Sequence, residues 1–169
     1  MSPLEKEFIE RKSLFLKKNN IYSLIFVLLI FFLDRYSKIE ILNNFSNNAF
    51  FVNEFINFEL IWNTGIGFGL LSSNSPLIYN LVSILIGTVI LILLYTALLS
   101  EKSEKIIFSI IIGGALGNFY DRLTYNAVPD FIDLHYKSFH WFTFNVADIF
   151  ITLGIITFLM KGFFIKKSK

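Results

Sequence analysis

Apolar and polar positions alternate along this chain in long blocks, and the blocks have the lengths of membrane-spanning helices. Residues 21–33 are apolar without a charge, but thirteen residues fall short of the roughly 20 that a helix needs to cross a bilayer. The first span is therefore expected to continue through Asp34, Arg35 and Lys38 to about residue 42. Residues 77–99 carry no charge over 23 positions and form the clearest span. A third block, 106–122, carries Gly113 and Gly117 four apart on one helix face, which lets a neighbouring helix approach closely. A fourth is placed at 142–160. The pattern predicts one integral membrane domain with spans at about 21–42, 77–99, 106–122 and 142–160.

The connections between spans are unequal. The stretch 43–74 is long and holds no Lys or Arg. Within it, FFVNEFINFELIWN mixes aromatic and β-branched residues with Asn and Glu in partial alternation, which predicts strands. Thr64 to Gly69 reads as a glycine-rich turn without the spacing or the lysine of a phosphate loop. The short loop 100–105 is charged. The stretch 124–139 is read as a short helical or loop segment. After the first apolar core the chain runs into LDRYSK with no small-residue cleavage site, so the first span is expected to stay uncleaved. Lys and Arg fix the orientation. Of the 15 in the chain, 11 fall in the N-terminal tail, the 100–105 loop and the C-terminal tail. The positive-inside rule places both termini in the cytoplasm and the two long connections outside.

Composition narrows the function classes. With 54% hydrophobic residues in 169, a soluble domain would lack the polar residues to cover its surface. A net charge of +2 gives no support to a nucleic-acid partner. The absence of cysteine removes thiol nucleophiles, disulfides and thiolate metal sites together.

The depth at which charges occur is the chemical signal. Asp34, Lys38, Asp121, Arg122, Asp130 and Asp148 all belong to the outer ends of spans or to the outer connections. A proton or ion path, as in a small transporter, would need polar groups at successive depths. A scaffold would not need Asp148 about one to two turns inside an apolar span, where a lone carboxylate is costly. Two carboxylates near one face can hydrolyse a peptide bond: they share a proton, one activates water and the other bonds the scissile carbonyl. Asp148 is the first candidate. Asp130 follows Pro129, whose fixed φ stiffens its approach, but it reads equally well as an ordinary loop carboxylate, with Asp133 as its alternative. Asp121 and Arg122 read as a charge cluster at a helix end. Asp34 and Lys38, four apart, are expected to pair. The amides of Asn63, Asn118 and Asn145 stand beside span ends or turns and are placed to orient carboxylates or to satisfy helix ends. His135 and His140, with Asp130, Asp133 and Asp148, are a minor zinc alternative, since His-x4-His matches no zincin pattern. His140-Trp141-Phe142 also looks like an interfacial belt. No cofactor and no metal is expected.

Five motifs occur in order: Asp34-Arg35-Tyr36-Ser37-Lys38, Asn63-Thr64-Gly65-Ile66-Gly67-Phe68-Gly69, Gly113 to Arg122 (GGALGNFYDR), Val128-Pro129-Asp130-Phe131 and Phe144-Asn145-Val146-Ala147-Asp148. Together they resemble the lipoprotein signal peptidase family (signal peptidase II). The resemblance implies an aspartic endopeptidase of the bacterial inner membrane, multi-pass, with its site on the extracytoplasmic side. It would cleave a prolipoprotein before a diacylglyceryl-modified cysteine. The family's catalytic pair falls on Asp130 and Asp148, which decides between Asp130 and Asp121. Site-lining residues fall on Asp34, Lys38, Asn63, Gly65, Asn118, Arg122 and Asn145. The first outer connection would form the family's β-cradle on the membrane, and the second its flexible helix. The partners implied are the prolipoprotein, membrane lipids and a globomycin-type inhibitor, with the enzyme acting as a monomer. Arg35 stands where the family usually has Gln, Gly67 where Ala is commoner, and Pro129 where a β-branched residue is commoner.

Overall fold

The computed structural model describes residues 17–45, 49–65 and 76–167, the last four of these as backbone. Four long helices and one small sheet make up the described chain. In order they are α1 (Lys18–Asn44), β1 (Phe50–Asn53), β2 (Ile56–Asn63), α2 (Pro76–Leu99), α3 (Lys102–Tyr125), β3 (Val128–Tyr136), β4 (Phe139–Phe144) and α4 (Val146–Lys167). The glycine-rich turn from Ile66 to Gly69, with the Gly67 departure, lies outside the described residues, as do Lys6, Arg11, Lys12 and Lys169 of the two tails.

Local chemistry explains where the elements stop and start. Pro76 opens α2, where its missing N–H costs nothing. Asn126 follows α3 in the left-handed region at φ 55°, a conformation asparagine tolerates, and so ends that helix. Lys105 Nζ reaches back to the carbonyls of Ala97 and Leu98 at 2.6 and 2.7 Å, capping the C-terminus of α2. Asn53 Oδ1 accepts from the backbone of Phe55 and Ile56 at 2.8 and 3.0 Å, which closes the turn between β1 and β2.

α3 is the central helix and packs against α1, α2 and α4. Its glycines make this possible. A Cβ on Gly113 would lie 2.8 Å from the Ile30 Cβ, and one on Gly117 would collide with Asp34 Oδ2, so both belong to the α1 contact expected from their spacing. On the next face, a Cβ on Gly114 would come within 2.6 Å of the Ala147 carbonyl of α4. Val27, Ala97, Phe108 and Ile112 form the buried apolar cluster where α1, α2 and α3 meet. The outer faces are apolar as well: Leu81, Ile84, Leu91, Leu153 and Phe163 are all more than half exposed. In water such a surface would be untenable; in lipid it is the required one. α2, α3 and residues 146–163 of α4 are long and apolar enough to cross a membrane. α1 is longer than any of these at 27 residues, but carries its charges within the helix.

The sheet differs from the expectation in its reach. The predicted strands in 50–63 are present as β1 and β2. However, the second connection is neither a helix nor a loop: it forms β3 and β4, and all four strands make one antiparallel sheet in the order β1-β2-β3-β4. The reason is visible in VPDFIDLHY and FHWFTF, which carry strand-type residues on both sides of a two-residue turn. That turn is Lys137-Ser138, with Lys137 at φ 55°, so no glycine or asparagine announces it. The same correction moves the start of the fourth span. Phe142 and Phe144 are strand residues, and the helix begins only at Val146.

Candidate active site

β2, β3, α3 and the start of α4 converge on two carboxylates. Strand pairing sets Asn63 opposite Val128 and Ile61 opposite Asp130. From that register the Asn63 amide reaches diagonally and donates Nδ2 to Asp130 Oδ2 at 2.8 Å. Asn145, between β4 and α4, donates Nδ2 to the other oxygen, Asp130 Oδ1, at 2.6 Å. Asp130 is thus buried between two amide donors.

Asp148 is held by a different device. It is the third residue of α4, in the first turn rather than one to two turns deep as the sequence suggested. Asn145 caps that helix. Its Oδ1 accepts from Asp148 N at 3.0 Å, while Asp148 Oδ2 accepts from Asn145 N at 3.2 Å. This reciprocal pair is a capping box with Asp in the place usually held by Glu or Gln. Asp148 Oδ1 accepts from Asn118 Nδ2 at 2.8 Å. One residue, Asn145, therefore bonds both carboxylates.

Behind the pair lies a buried charge cluster. Lys38 Nζ donates to Asp34 Oδ2 and to Asn118 Oδ1, each at 2.8 Å, and lies 2.7 Å from Asp121 Oδ2. The Asn118 amide is oriented by this contact: its oxygen takes the lysine and its nitrogen serves Asp148. Asp34 Oδ1 accepts from Ala147 N at 2.9 Å, tying α1 to the first turn of α4. Arg35 donates to Asp121 Oδ1. The pairing of Asp34 with Lys38 and the structural setting of Asp121 follow the sequence reading. Arg122 donates to the Gly65 carbonyl and lies 5.9 Å from the Tyr79 ring. Its Nε and Nη1 have no hydrogen-bond partner among the described residues.

The surroundings of Asp130 raise its carboxyl. Burial first, and the negative charge of Asp148 second, push its carboxyl up from 3.8 to about 6, against the amides of Asn63 and Asn145 and the charge of Lys38. Two carboxylates that oppose each other's ionisation can hold one proton between them near neutral pH, the arrangement needed to supply a base and a proton donor together.

Asp133 is not interchangeable with Asp130. Three residues along a strand turn a side chain to the other face. Asp133 Oδ2 meets His140 Nδ1 at 2.7 Å and His135 Nδ1 at 3.5 Å, and the two imidazoles stack with centroids 5.4 Å apart. The histidines gather at Asp133, while Asp130 and Asp148 are held by amides. Tyr79 escaped the sequence reading. Its hydroxyl donates to the Arg122 carbonyl at 3.1 Å beneath the guanidinium. A tyrosine near the start of the uncharged span 77–99 was the available signal.

A model of the signal peptidase II family matches residues 26–164. The chain is 44% identical over 155 residues to the lipoprotein signal peptidase of Pelagibacter ubique (strain HTCC1062), covering 90% of this chain and 93% of that protein. It is 39% identical over 147 residues to the lipoprotein signal peptidase of Anaplasma marginale (strain Florida), covering 84% of each. Among solved structures, a bacterial membrane enzyme determined by the in meso method superposes with a TM-score of 0.75 at 25% identity, over 88% of this chain and 91% of that one.

Proposed function

This chain belongs to the signal peptidase II family, and from that premise we propose that Asp130 and Asp148 are its catalytic pair. The protein is a membrane peptidase that removes signal peptides from prolipoproteins. The bond cut lies before a diacylglyceryl-modified cysteine, in the bacterial inner membrane, with the site at the outer face and both termini in the cytoplasm. α1 is the fourth span: Asp34, Arg35 and Lys38 turn inward to α3 and α4, and the exposed charges, Lys18 and Glu40, fall toward its two ends. The sheet lies over the outer ends of the helices and contributes Asp130 from β3.

The observation that carries the catalytic reading is the Asn145 bridge, which bonds Asp130 and Asp148 from one side chain and its own backbone. The pair holds one proton. Its ionised member takes a proton from a water, whose oxygen adds to the scissile carbonyl. Its protonated member bonds the carbonyl oxygen as negative charge builds there. Collapse of the tetrahedral intermediate breaks the C–N bond, and the leaving amine takes a proton from the pair. The roles belong to the coupled pair rather than to either carboxyl alone. Arg122 Nε and Nη1, beside Gly65 and without a hydrogen-bond partner among the described residues, suit a carbonyl of the substrate backbone. A lipid-modified cysteine stays in the bilayer while its peptide bond meets water, and a site at the outer end of the helices satisfies both demands.

The test is cleavage of a diacylglyceryl-modified prolipoprotein by the purified protein in liposomes, with and without a metal chelator. Asp130→Asn and Asp148→Asn are expected to abolish cutting, Asp121→Asn to retain part of it, and chelator to have no effect. Cutting by both dyad variants, with loss on chelation, would transfer the chemistry to the Asp133, His135 and His140 cluster.

A further inference from the structure

We propose that Arg35 is a positioning residue for the carboxylate pair: by sharing Asp121 with Lys38 it keeps the lysine on Asn118, and through Asn118 it holds Asp148. It acts without touching the pair. The inference rests on the aspartic reading of the site and deepens it.

Asp34, Lys38 and Asp121 are fully buried, and Arg35 is only 8% exposed. Two positive and two negative charges thus sit together out of water, and the balance matters because an uncompensated buried charge is far costlier than a paired one. The partners are divided in a definite way. Arg35 takes Asp121 Oδ1, with its guanidinium 4.6 Å from the Tyr120 ring centroid. Lys38 donates to Asp34 Oδ2 and Asn118 Oδ1 and forms an ion pair with Asp121 Oδ2 at 2.7 Å, an oxygen with no hydrogen-bond partner among the described residues. With Arg35 present, Asp121 is half neutralised from its other side. With an uncharged residue at 35, Lys38 alone must compensate both Asp34 and Asp121. The ammonium is then drawn toward the carboxylates and away from the neutral amide oxygen. Asn118 loses the contact that orients it. A flipped amide would turn its oxygen toward Asp148 Oδ1, replacing a hydrogen bond with repulsion.

The same division predicts opposite electrostatic effects from the two ends of the Arg35–Asp121 pair. The charged and polar groups around the dyad are Asp34 and Lys38 from α1, Tyr79 from α2, and Asn118, Asp121 and Arg122 from α3. Among the described residues, Asn63 from β2 and Asn145 ahead of α4 complete the set. Removing the charge at 35 leaves this surround one unit more negative, and removing it at 121 leaves it one unit more positive. The dyad works with one net negative charge, so the acid limb of its kcat/KM profile moves up in the first case and down in the second. Each shift is about half a pH unit for a buried charge one side chain removed.

The experiment is the pH profile of kcat/KM for prolipoprotein cleavage in liposomes, with thermal unfolding of each variant. The series is wild type, Arg35→Gln, Arg35→Lys, Asp121→Asn, the Arg35→Gln/Asp121→Asn double variant and Asp130→Asn. The expected result is an upward limb shift in Arg35→Gln with about a tenfold loss of kcat and little change in KM. Arg35→Lys stays near wild type, Asp121→Asn shifts downward, and the double variant returns toward the wild-type limb. Equal-sign shifts, or unshifted limbs with activity falling only as Tm falls, would reduce Arg35 to a packing role and overturn the inference. Asp130→Asn separates the two levels: if it still cuts, the aspartic reading fails, whereas loss of cutting there with an unshifted Arg35→Gln limb sinks the positioning role alone.

Discussion

Asn145 Nδ2 donates to Asp130 Oδ1 at 2.6 Å, from a residue whose backbone N–H and side-chain oxygen are both engaged by Asp148. The helix cap and the link between the two carboxylates are therefore one side chain. Asn145→Ala is expected to lose about 1–2 kcal/mol of stability with the cap and to reduce kcat about a hundredfold with the link. Asn145→Ser should restore most of the stability, since serine caps well, but little of the activity, since it has no second group to reach Asp130. Parallel recovery of both quantities in the serine variant would refute the dual role.

Asp130 should destabilise the folded protein when ionised. Its carboxyl is raised from 3.8 to about 6. A raised folded-state value means that this group's stabilising effect is complete below pH 3.8 and is lost as pH climbs through about 6. Two units correspond to at most about 3 kcal/mol. Asp130→Asn removes the ionisation while setting one amide nitrogen against the donors of Asn63 and Asn145, so the net gain is smaller. The variant is expected to unfold at or above the wild-type temperature at pH 8 and to lose that advantage by pH 4.5, although inactive at both. Differential scanning fluorimetry in detergent at the two pH values decides it; an advantage that grows toward low pH would contradict the burial argument.

Gly117 leaves room for Asp34 where α1 crosses α3, and any Cβ there meets the carboxylate. Gly117→Ala should push Asp34 off the Ala147 N–H and cost about 1–3 kcal/mol, with kcat falling more than tenfold. Gly162→Ala, whose Cβ would meet nothing within 4 Å, is the control and should be neutral or slightly stabilising. Unchanged cleavage by the Gly117 variant would remove Asp34 from the supports of α4.

Lys105 is buried with its ammonium on the last carbonyls of α2. Lys105→Met should lower unfolding stability by about 1–2 kcal/mol while leaving kcat of the folded fraction within about twofold of wild type. A large kcat effect at matched stability would mean that this end of the bundle communicates with the site.

The sequence by itself determined what depends on local pattern and on solvent. Block lengths and the absence of charge from 77–99 dictate a membrane protein, because each residue's preference for lipid or water is set residue by residue. The spacing of Gly113 and Gly117 dictates a close helix contact, and Asp34 and Lys38 share a face because they are four apart. The order of the five motifs points to the family. Tertiary structure decided what depends on distant segments. Nothing local announces that β3 pairs with β2, more than sixty residues away in the chain, or that a Lys-Ser turn folds 139–144 back as a strand instead of the start of a helix. That pairing turns Asp130 toward Asn63 and Asp133 toward the histidines, a choice of strand face that composition around the two aspartates does not make. The cap formed by Asn145 and Asp148 was written in four consecutive residues, yet its second use, as the bridge to Asp130, exists only because the sheet carries Asp130 to the mouth of α4. Side-chain chemistry is local, but the partner that gives it a function is supplied by the fold.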